Sequence, residues 1–136
     1  ILGWTSITAN LDIIVILFYF GAIFWTLGYD TIYGYQDIKD DEIIGLKSTS
    51  IKFKNSAKQF LFLCYILLSV LFLVGGYYMN FNYIYFIIFT IPLFHLFFFQ
   101  IKKFNKNNPS DCLKIFKSNN IFGLIIFLNI LIAKIL

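Results

Sequence analysis

The acidic residues of this chain are concentrated in one short stretch. Five of the seven lie between residues 30 and 42, at Asp30, Asp37, Asp40, Asp41 and Glu42. If this stretch is helical, residues advance by about 100° and 1.5 Å each, so Asp30, Asp37 and Asp41 share one face within roughly 40°. Asp37 and Asp41 are then about 6 Å apart along the axis and can bind the same ion, whereas Asp30 lies about 10 Å further back. The spacing predicts a metal site at Asp37 and Asp41.

A pair of carboxylates is a typical protein contribution to a Mg²⁺ site. Mg²⁺ is usually held by one or two carboxylates, while water and substrate phosphates complete its shell. The cluster therefore predicts Mg²⁺ as the cofactor and a diphosphate as the substrate. The alternative is a solvated charged loop, which is the usual meaning of a charge run. Clustered acids beside an apolar segment repel one another unless a cation lies among them, and this favours the metal site.

The composition is that of an integral membrane protein. Of 136 residues, 60% are hydrophobic and 13% charged, and the mean hydropathy is +0.79. Soluble domains do not reach these values. We expect an all-α, multi-span transmembrane helix bundle with spans at about residues 11–29, 59–79, 83–101 and 120–136, and an aspartate loop at about 29–56.

Local signals refine this expectation. The aspartate loop is expected to be helical as far as Asp41. Pro92 predicts a kink in the third span, with a carbonyl freed near the middle of the bilayer. Asn108 and Pro109 have the residue types of an N-cap and a first helical position, which predicts a short helix as far as Phe116 ahead of the fourth span. The fourth span is slightly short and is expected either to be tilted little or to extend into this loop.

The lysines predict the orientation in the membrane. Ten of the eleven lie in the polar loops at 29–58 and 101–120, while the connections at 1–10 and 79–82 have none. Alternating spans place both loops on one side, which is the cytoplasmic face of a bacterial inner membrane or, alternatively, the matrix face of the mitochondrial inner membrane. Juxtamembrane lysines suit an anionic lipid bilayer, and no nucleic-acid motif is present.

A longer pattern surrounds the acidic pair. The string from Tyr29 to Phe53, YDTIYGYQDIKDDEIIGLKSTSIKF, resembles the second aspartate-rich motif of the UbiA superfamily of membrane prenyltransferases, and most of all its 4-hydroxybenzoate branch. The resemblance is carried by the Tyr-Asp start, the glutamine before Asp37, the doubled Asp40-Asp41 and the downstream Gly-x-Lys-Ser-Thr. The segment from Asn108 to Leu113 is also similar to the C-terminal region of that branch.

The resemblance implies a fold and an activity. In that family nine membrane helices surround a cavity, and two aspartate motifs hold Mg²⁺ against the diphosphate of a polyprenyl donor. The chain would supply the last four helices as a C-terminal fragment. The first motif, Asn-Asp-x-x-Asp, is absent, so we expect the fragment alone to be inactive. The intact protein would prenylate the ring of 4-hydroxybenzoate in ubiquinone biosynthesis.

The predicted site residues follow from this hypothesis. Asp37 and Asp41 are the expected catalytic and metal-binding pair. The expected substrate-binding residues are Asp30, Tyr33, Gln36 and Lys47. The lysine would donate to a phosphate oxygen or be a plain surface lysine, the tyrosine would offer a π face to an allylic cation, and Asp30 would orient the acceptor or a second Mg²⁺.

Two other functions are open on sequence grounds. One is a UbiA-type transferase with another acceptor, such as a naphthoate, a haem or a chlorophyll-type ring. The other is a non-catalytic membrane module that binds or conducts cations. Conduction predicts carboxylates on facing spans, whereas every acid between Asp12 and Asp111 lies in one loop. The single histidine, His95, is expected to be a neutral packing residue, and Cys64 and Cys112 are expected to be free thiols.

Overall fold

Helices form most of the chain, as a computed structural model of residues 1–135 shows, and no strand occurs in that range. They are α1 (Leu2–Thr8), α2 (Ile13–Tyr33), α3 (Ile38–Ile43), α4 (Thr49–Lys52), α5 (Ala57–Tyr78), α6 (Tyr83–Phe94), a π-helical segment (His95–Ile101) and α7 (Pro109–Ile135). Four stretches are long and apolar enough to cross a membrane: α2, α5, α6 together with the π-helical segment, and α7. The expected all-α membrane bundle is confirmed.

Short polar side chains start two of the spans. The Asp12 carboxylate accepts a hydrogen bond from the amide of Ile14 at 3.0 Å, and the Asn82 side chain accepts one from the amide of Ile84 at 3.1 Å. The first amides of a helix have no partner within it, so these caps satisfy donors that would otherwise be lost at the membrane boundary. The spans therefore begin at defined residues, and the tight turn before Asn82 sets α6 back against the bundle.

Helix α2 packs mainly against α5 through close approach at small residues. A side chain at Gly28 would collide with the ring of Tyr65, and one at Gly21 would collide with the ring of Phe72. Small residues on one membrane helix allow bulky residues of its neighbour to pack against the backbone, which is the main source of association where lipid removes the hydrophobic driving force. This packing fixes the helix that leads into the aspartate loop.

A buried hydrogen-bond network joins all four spans. The Asn119 side-chain oxygen of α7 accepts from Trp25 Nε1 of α2 at 2.8 Å and from Gln100 Nε2 at 3.0 Å, and the Tyr65 hydroxyl of α5 donates to the Gln100 oxygen. Gln100 and Tyr65 are fully buried. Polar groups in the hydrocarbon layer need partners inside the protein, so this network, named here the Asn119 network, sets the relative depth of the spans.

The expected helix through Asp41 is wrong. Helix α2 ends at Tyr33, and a turn follows in which the Tyr35 amide donates to the Ile32 carbonyl at 3.2 Å. The chain turns here because the Tyr35 side chain is 2% exposed and enters the interior, which a continuing helix would not allow. Asp30 therefore belongs to a different helix from Asp37 and Asp41, and the three carboxylates do not share one helical face.

The short helix expected to end at Phe116 does not end there, and the fourth span instead extends into the preceding loop, which was the other expectation. A single helix, α7, runs from Pro109 to Ile135. The polar residues between them do not interrupt it, because the Asn119 amide nitrogen donates to the Ile115 and Phe116 carbonyls, both at 3.2 Å, while its oxygen joins the Asn119 network. A polar residue with all its hydrogen bonds made can lie inside a membrane helix.

The third span changes from α-helix to π-helix after Pro92. Helix α6 continues through this proline, and three residues later the π-helical segment begins and runs to Ile101. Proline cannot donate to the carbonyl four residues earlier, and π-helical turns are often found at functional places in helices. The wider turn brings Gln100 into the Asn119 network, 3.4 Å from His95 Nδ1, and His95 stacks on Phe99 as a packing residue.

Replacing Asn119 with leucine should destabilise the bundle. The change leaves Trp25 Nε1 and Gln100 Nε2 without their acceptor, and two unsatisfied donors cost about 1–2 kcal/mol in a membrane protein. The measurement is the free energy of unfolding of the protein in mixed micelles. Asn120→Leu is the matched control, because the neighbouring side chain is exposed and makes no hydrogen bond within residues 1–135. Equal stability of the two variants would contradict the structural role given to Asn119.

Candidate active site at the aspartate loop

The acidic pair lies at the start of a short helix at the polar end of the bundle. Asp37 directly precedes α3, and the amide of Asp41 donates to the carbonyl of Asp37 at 2.9 Å. The two residues are therefore one helical turn apart, on α3 rather than on a continuation of α2. Asp37 is exposed and Asp41 is half-buried, so both carboxylates can be reached from outside.

Two apolar anchors hold this part of the loop in place. Tyr35 and Ile38, on either side of the exposed Asp37, are buried in a cluster formed with Ile32, Ala57, Leu61, Phe104, Cys112 and Ile115. Burial, with a smaller contribution from the nearby Cys112 thiol, raises the pKa of Tyr35 above its usual value. The phenol therefore stays neutral and lies 3.4 Å from the carbonyl of Phe53, to which it donates. Asp37 is thus fixed between two buried side chains.

Hydroxyl groups fasten α4 to the end of α2. The Thr31 and Thr49 hydroxyls are 2.7 Å apart, and the Ser50 hydroxyl donates to the Thr31 carbonyl at 3.0 Å. Ser48 caps α4 by accepting from the amide of Ile51 at 3.4 Å. The Lys-Ser-Thr-Ser segment therefore holds the two ends of the aspartate loop together. Its run of three hydroxyl residues was a visible sequence signal, but only the fold shows the role.

Four carboxylates of the loop are unpaired. Within residues 1–135, Asp30, Asp37, Asp40 and Asp41 form no ion pair and their side chains make no hydrogen bond with the protein, whereas Glu42 pairs with Lys54 at 2.7 Å. Negative charges held close together without partners are stabilised by a cation. Within residues 1–135, no three His, Cys, Asp or Glu side chains lie close enough together to bind one metal ion. The Asp37 and Asp41 carboxylates are therefore two unpaired charges one helical turn apart at the polar end of the bundle.

A cleft of about 530 Å³ opens beside Asp37. Its lining includes Gln36, Asp37 and three lysines, Lys39, Lys54 and Lys106. The Gln36 amide nitrogen is buried without a hydrogen-bond partner, so it has a donor to spare for a ligand. Carboxylates, ammonium groups and a free amide around one cleft can bind a phosphate-bearing substrate together with a metal ion.

The other predicted residues are divided between several places. Asp30 and Tyr33 lie on the last turn of α2 and are exposed, and Gln36 lines the Asp37 cleft. Lys47 lies elsewhere, in a surface pocket formed by residues 46–52. The lysines that line the cleft beside Asp37 are instead Lys39, Lys54 and Lys106, none of which was predicted from the sequence as a site residue. Lys106 comes from the second polar loop and donates to the Lys54 carbonyl at 3.0 Å, a long-range contact without a local signal.

A row of aromatic rings leads from the aspartate loop into the membrane. Between α2 and α7, Tyr33 lies 4.6 Å from Phe116, Phe116 lies 5.7 Å from Tyr29, and Tyr29 lies 5.3 Å from Trp25 (ring centroids). A small cavity of about 150 Å³ opens along this row beside Asn119. The rings form an apolar wall next to Asp30.

Comparison with known proteins identifies the family. The UbiA prenyltransferase family matches residues 1–131. The chain belongs to this family. Among curated relatives, the mitochondrial 4-hydroxybenzoate polyprenyltransferase of Bos taurus is 41% identical over 99% of the chain and 36% of its own length, and that of Homo sapiens is 38% identical with the same coverage. The 4-hydroxybenzoate geranyltransferase 2 of Lithospermum erythrorhizon is 38% identical over 86% of the chain and 38% of its own length.

The matches cover only part of each relative. The chain spans about a third of the length of the curated relatives it matches, 36% for the proteins of Bos taurus and Homo sapiens. No solved structure matches the chain. Sequence similarity therefore establishes the family, and the geometry above shows how this part of such a protein presents its acidic pair.

Gly34→Ala should loosen the aspartate loop. A Cβ at Gly34 would collide with the Ser50 hydroxyl, which donates to the Thr31 carbonyl. We expect amide hydrogen exchange over residues 38–46 to become several-fold faster, because the contact between α2 and α4 opens. Adding Ser50→Ala removes the colliding oxygen and should restore part of the protection. Gly3→Ala is the matched control, since nothing lies within 4 Å of a Cβ there. Unchanged exchange in Gly34→Ala would show that this contact does not hold the loop.

Proposed function

We propose that the complete protein containing this chain transfers a polyprenyl group from an isoprenoid diphosphate to the aromatic ring of 4-hydroxybenzoate. The names of the relatives that match 99% of the chain support the substrates. The observation that carries the proposal is the pair of unpaired carboxylates one helical turn apart, Asp37 and Asp41, of which Asp37 lines a cleft that also presents Asp40 and three lysines. A membrane enzyme for a diphosphate ester requires this combination of charges.

Asp37 and Asp41 are the residues that would hold the metal ion. Mg²⁺, when bound, supplies positive charge to the diphosphate oxygens while the allylic carbon–oxygen bond breaks. Lys54 and Lys106 bind phosphate oxygens from the other side of the cleft as compact cations. The Gln36 amide adds a neutral donor.

The aromatic row then accommodates the prenyl group. Loss of diphosphate leaves positive charge on the allylic carbon, and the faces of aromatic rings stabilise a desolvated cation. Tyr33 and Tyr29, next to Asp30, are placed to do this. The ring carbon beside the hydroxyl of 4-hydroxybenzoate forms the new carbon–carbon bond, and the proton on that carbon leaves to restore the aromatic ring. Asp30 orients the acceptor.

The positive charge of the polar loops predicts which side of the membrane they occupy. Both lysine-rich loops lie at one end of the bundle, since Lys106 of the second contacts Lys54 of the first. Positive loops stay on the cytoplasmic or matrix side. The names of the relatives in Bos taurus and Homo sapiens, which include the word mitochondrial, favour a mitochondrial location. The proposal therefore places the aspartate loop on the matrix side of the inner membrane and the reaction in ubiquinone biosynthesis.

Asp37→Asn and Asp41→Asn should each abolish prenyl transfer. Losing a metal ligand removes charge stabilisation from the leaving diphosphate, so we expect the turnover rate to fall at least a hundredfold. The assay measures prenylated 4-hydroxybenzoate formed in membranes that contain the complete protein, with and without Mg²⁺. Glu42→Gln is the matched control: it removes the same charge from the same loop but breaks only an exposed ion pair, which is worth about 0–1 kcal/mol.

The comparison of these variants decides between enzyme and cation-binding module. Transfer that survives either aspartate substitution would remove that residue from the metal site. A fall of the same size in Glu42→Gln would mean that overall loop charge, rather than the Asp37 and Asp41 pair, supports the reaction. Folded, donor-binding protein that makes no product from 4-hydroxybenzoate would overturn the proposed acceptor.

Tyr33→Leu should slow the chemical step while Tyr33→Phe should not. Leucine keeps apolar bulk but removes the π face, whose interaction with a desolvated cation is worth about 1 kcal/mol or more, so the single-turnover rate should fall roughly five- to tenfold. Binding of the donor diphosphate should be unchanged, because Tyr33 does not line the cleft beside Asp37. A slow Tyr33→Phe variant would instead assign the role to the hydroxyl.

A further inference from the structure

A second cleft, of about 580 Å³, lies at the polar end of the bundle next to the first. It is named here the lysine cleft. One wall is formed by residues 54–59, which lead into α5, and the other by residues 102–107, which follow the π-helical segment. The walls are joined by the hydrogen bond from Lys106 Nζ to the Lys54 carbonyl at 3.0 Å. This hydrogen bond fixes the two walls of the cleft relative to each other.

Its charge is entirely positive. The lining includes five lysines and no acidic residue: Lys54, Lys58, Lys102, Lys103 and Lys106. Among residues 1–135 only the first of these forms an ion pair, with Glu42, which lies outside the cleft. Ammonium groups held together without counter-charges repel one another, and an anion in the cleft removes that repulsion. Asn55, Gln59, Asn105 and Asn107 add amide groups to the lining.

The cleft lies at the level where spans end. Lys58 is in the first turn of the span α5, and Lys102 directly follows the last residue of the third span. Lys103 lies with its ammonium group 4.4 Å from the centre of the Phe99 ring. Ala57 and Phe104 line the base of the cleft and are buried in the apolar cluster below. Positive rims above an apolar base at the end of a span face phospholipid headgroups.

We propose that the lysine cleft binds the phosphate of an anionic phospholipid from the leaflet on the side of the aspartate loop. A phosphodiester headgroup with net negative charge accepts hydrogen bonds from several ammonium groups at once, as in other basic pockets on this side of membranes. A free phosphate or diphosphate offers the same oxygens, but the height of the cleft at the span ends favours the lipid. The lysine cleft shares Lys54, Lys106 and Asn107 with the cleft beside Asp37. Of these two clefts, Lys58, Lys102 and Lys103 line only the lysine cleft, and neither Asp37 nor Asp41 lines it.

The test uses the complete protein in detergent micelles and native mass spectrometry to count retained lipid. Phosphatidylglycerol should be retained and phosphatidylcholine lost. Lys58→Gln/Lys102→Gln removes two charges that line this cleft and not the one beside Asp37. At about 1 kcal/mol for each lysine near the headgroups, the affinity for phosphatidylglycerol should fall roughly 10- to 30-fold.

The matched control is Lys52→Gln/Lys117→Gln, which removes two exposed lysines outside the cleft from the same polar end. Phosphatidylglycerol retention should be close to that of the unaltered protein. An equal loss in both double variants would overturn the site, because net charge alone would then explain binding. Equal retention of phosphatidylcholine by the unaltered protein, or displacement of phosphatidylglycerol by inorganic diphosphate at the same concentration, would overturn the assignment to a lipid. The last two measurements need no variant.

Discussion

The side-chain oxygen of Asn119 is the point on which the bundle depends. It accepts from an indole of α2 and from an amide of the π-helical segment, and that amide's oxygen in turn accepts from a tyrosine of α5. In water each of these groups could exchange its partner for solvent, so the arrangement would contribute little specificity. In a bilayer no solvent competes, and sliding any span by one turn would leave several groups unsatisfied. The network therefore selects one register of four helices from many that would bury apolar surface equally well.

That register has consequences at the polar end. The depth of α2 determines where its last turn emerges, and thus where Asp30 and Tyr33 stand. The depth of α7 sets Phe116 against Tyr33 and brings Cys112 and Ile115 beneath Tyr35. The aspartate loop is therefore shaped in part from inside the bundle, by the contacts of Tyr33 and Tyr35 with apolar residues of α7. The loop itself adds the hydroxyl contacts between Thr31, Thr49 and Ser50 and the ion pair between Glu42 and Lys54.

Hydropathy and spacing were sufficient for the parts of this fold that depend on local signals. Apolar runs of membrane length predicted the helical bundle, and the four-residue spacing of Asp37 and Asp41 survived as a one-turn separation. The end of α2 was missed because the cause is tertiary: Tyr35 turns inward to a cluster whose members come from α2, α3, α5, the second polar loop and α7. The sequence left the continuity of α7 undecided for a similar reason, since nothing local reveals that Asn119 finds partners inside the bilayer. Lys54 and Lys106 were missed because only folding brings the two polar loops together.

The break after Tyr33 separates the supports of the acidic residues. Asp30 is carried by a long helix whose position is set by packing against α5, whereas Asp37 and Asp41 are carried by a short helix anchored through Tyr35 and Ile38. The two groups of acidic residues therefore lie on different helices, which are joined by a short turn. Asp30 therefore moves with α2 alone, whereas the position of the acidic pair also depends on residues of α5, α7 and the second polar loop that pack around Tyr35 and Ile38. Such a division allows the surroundings of Asp30 to change in shape while the one-turn spacing of Asp37 and Asp41 stays as it is.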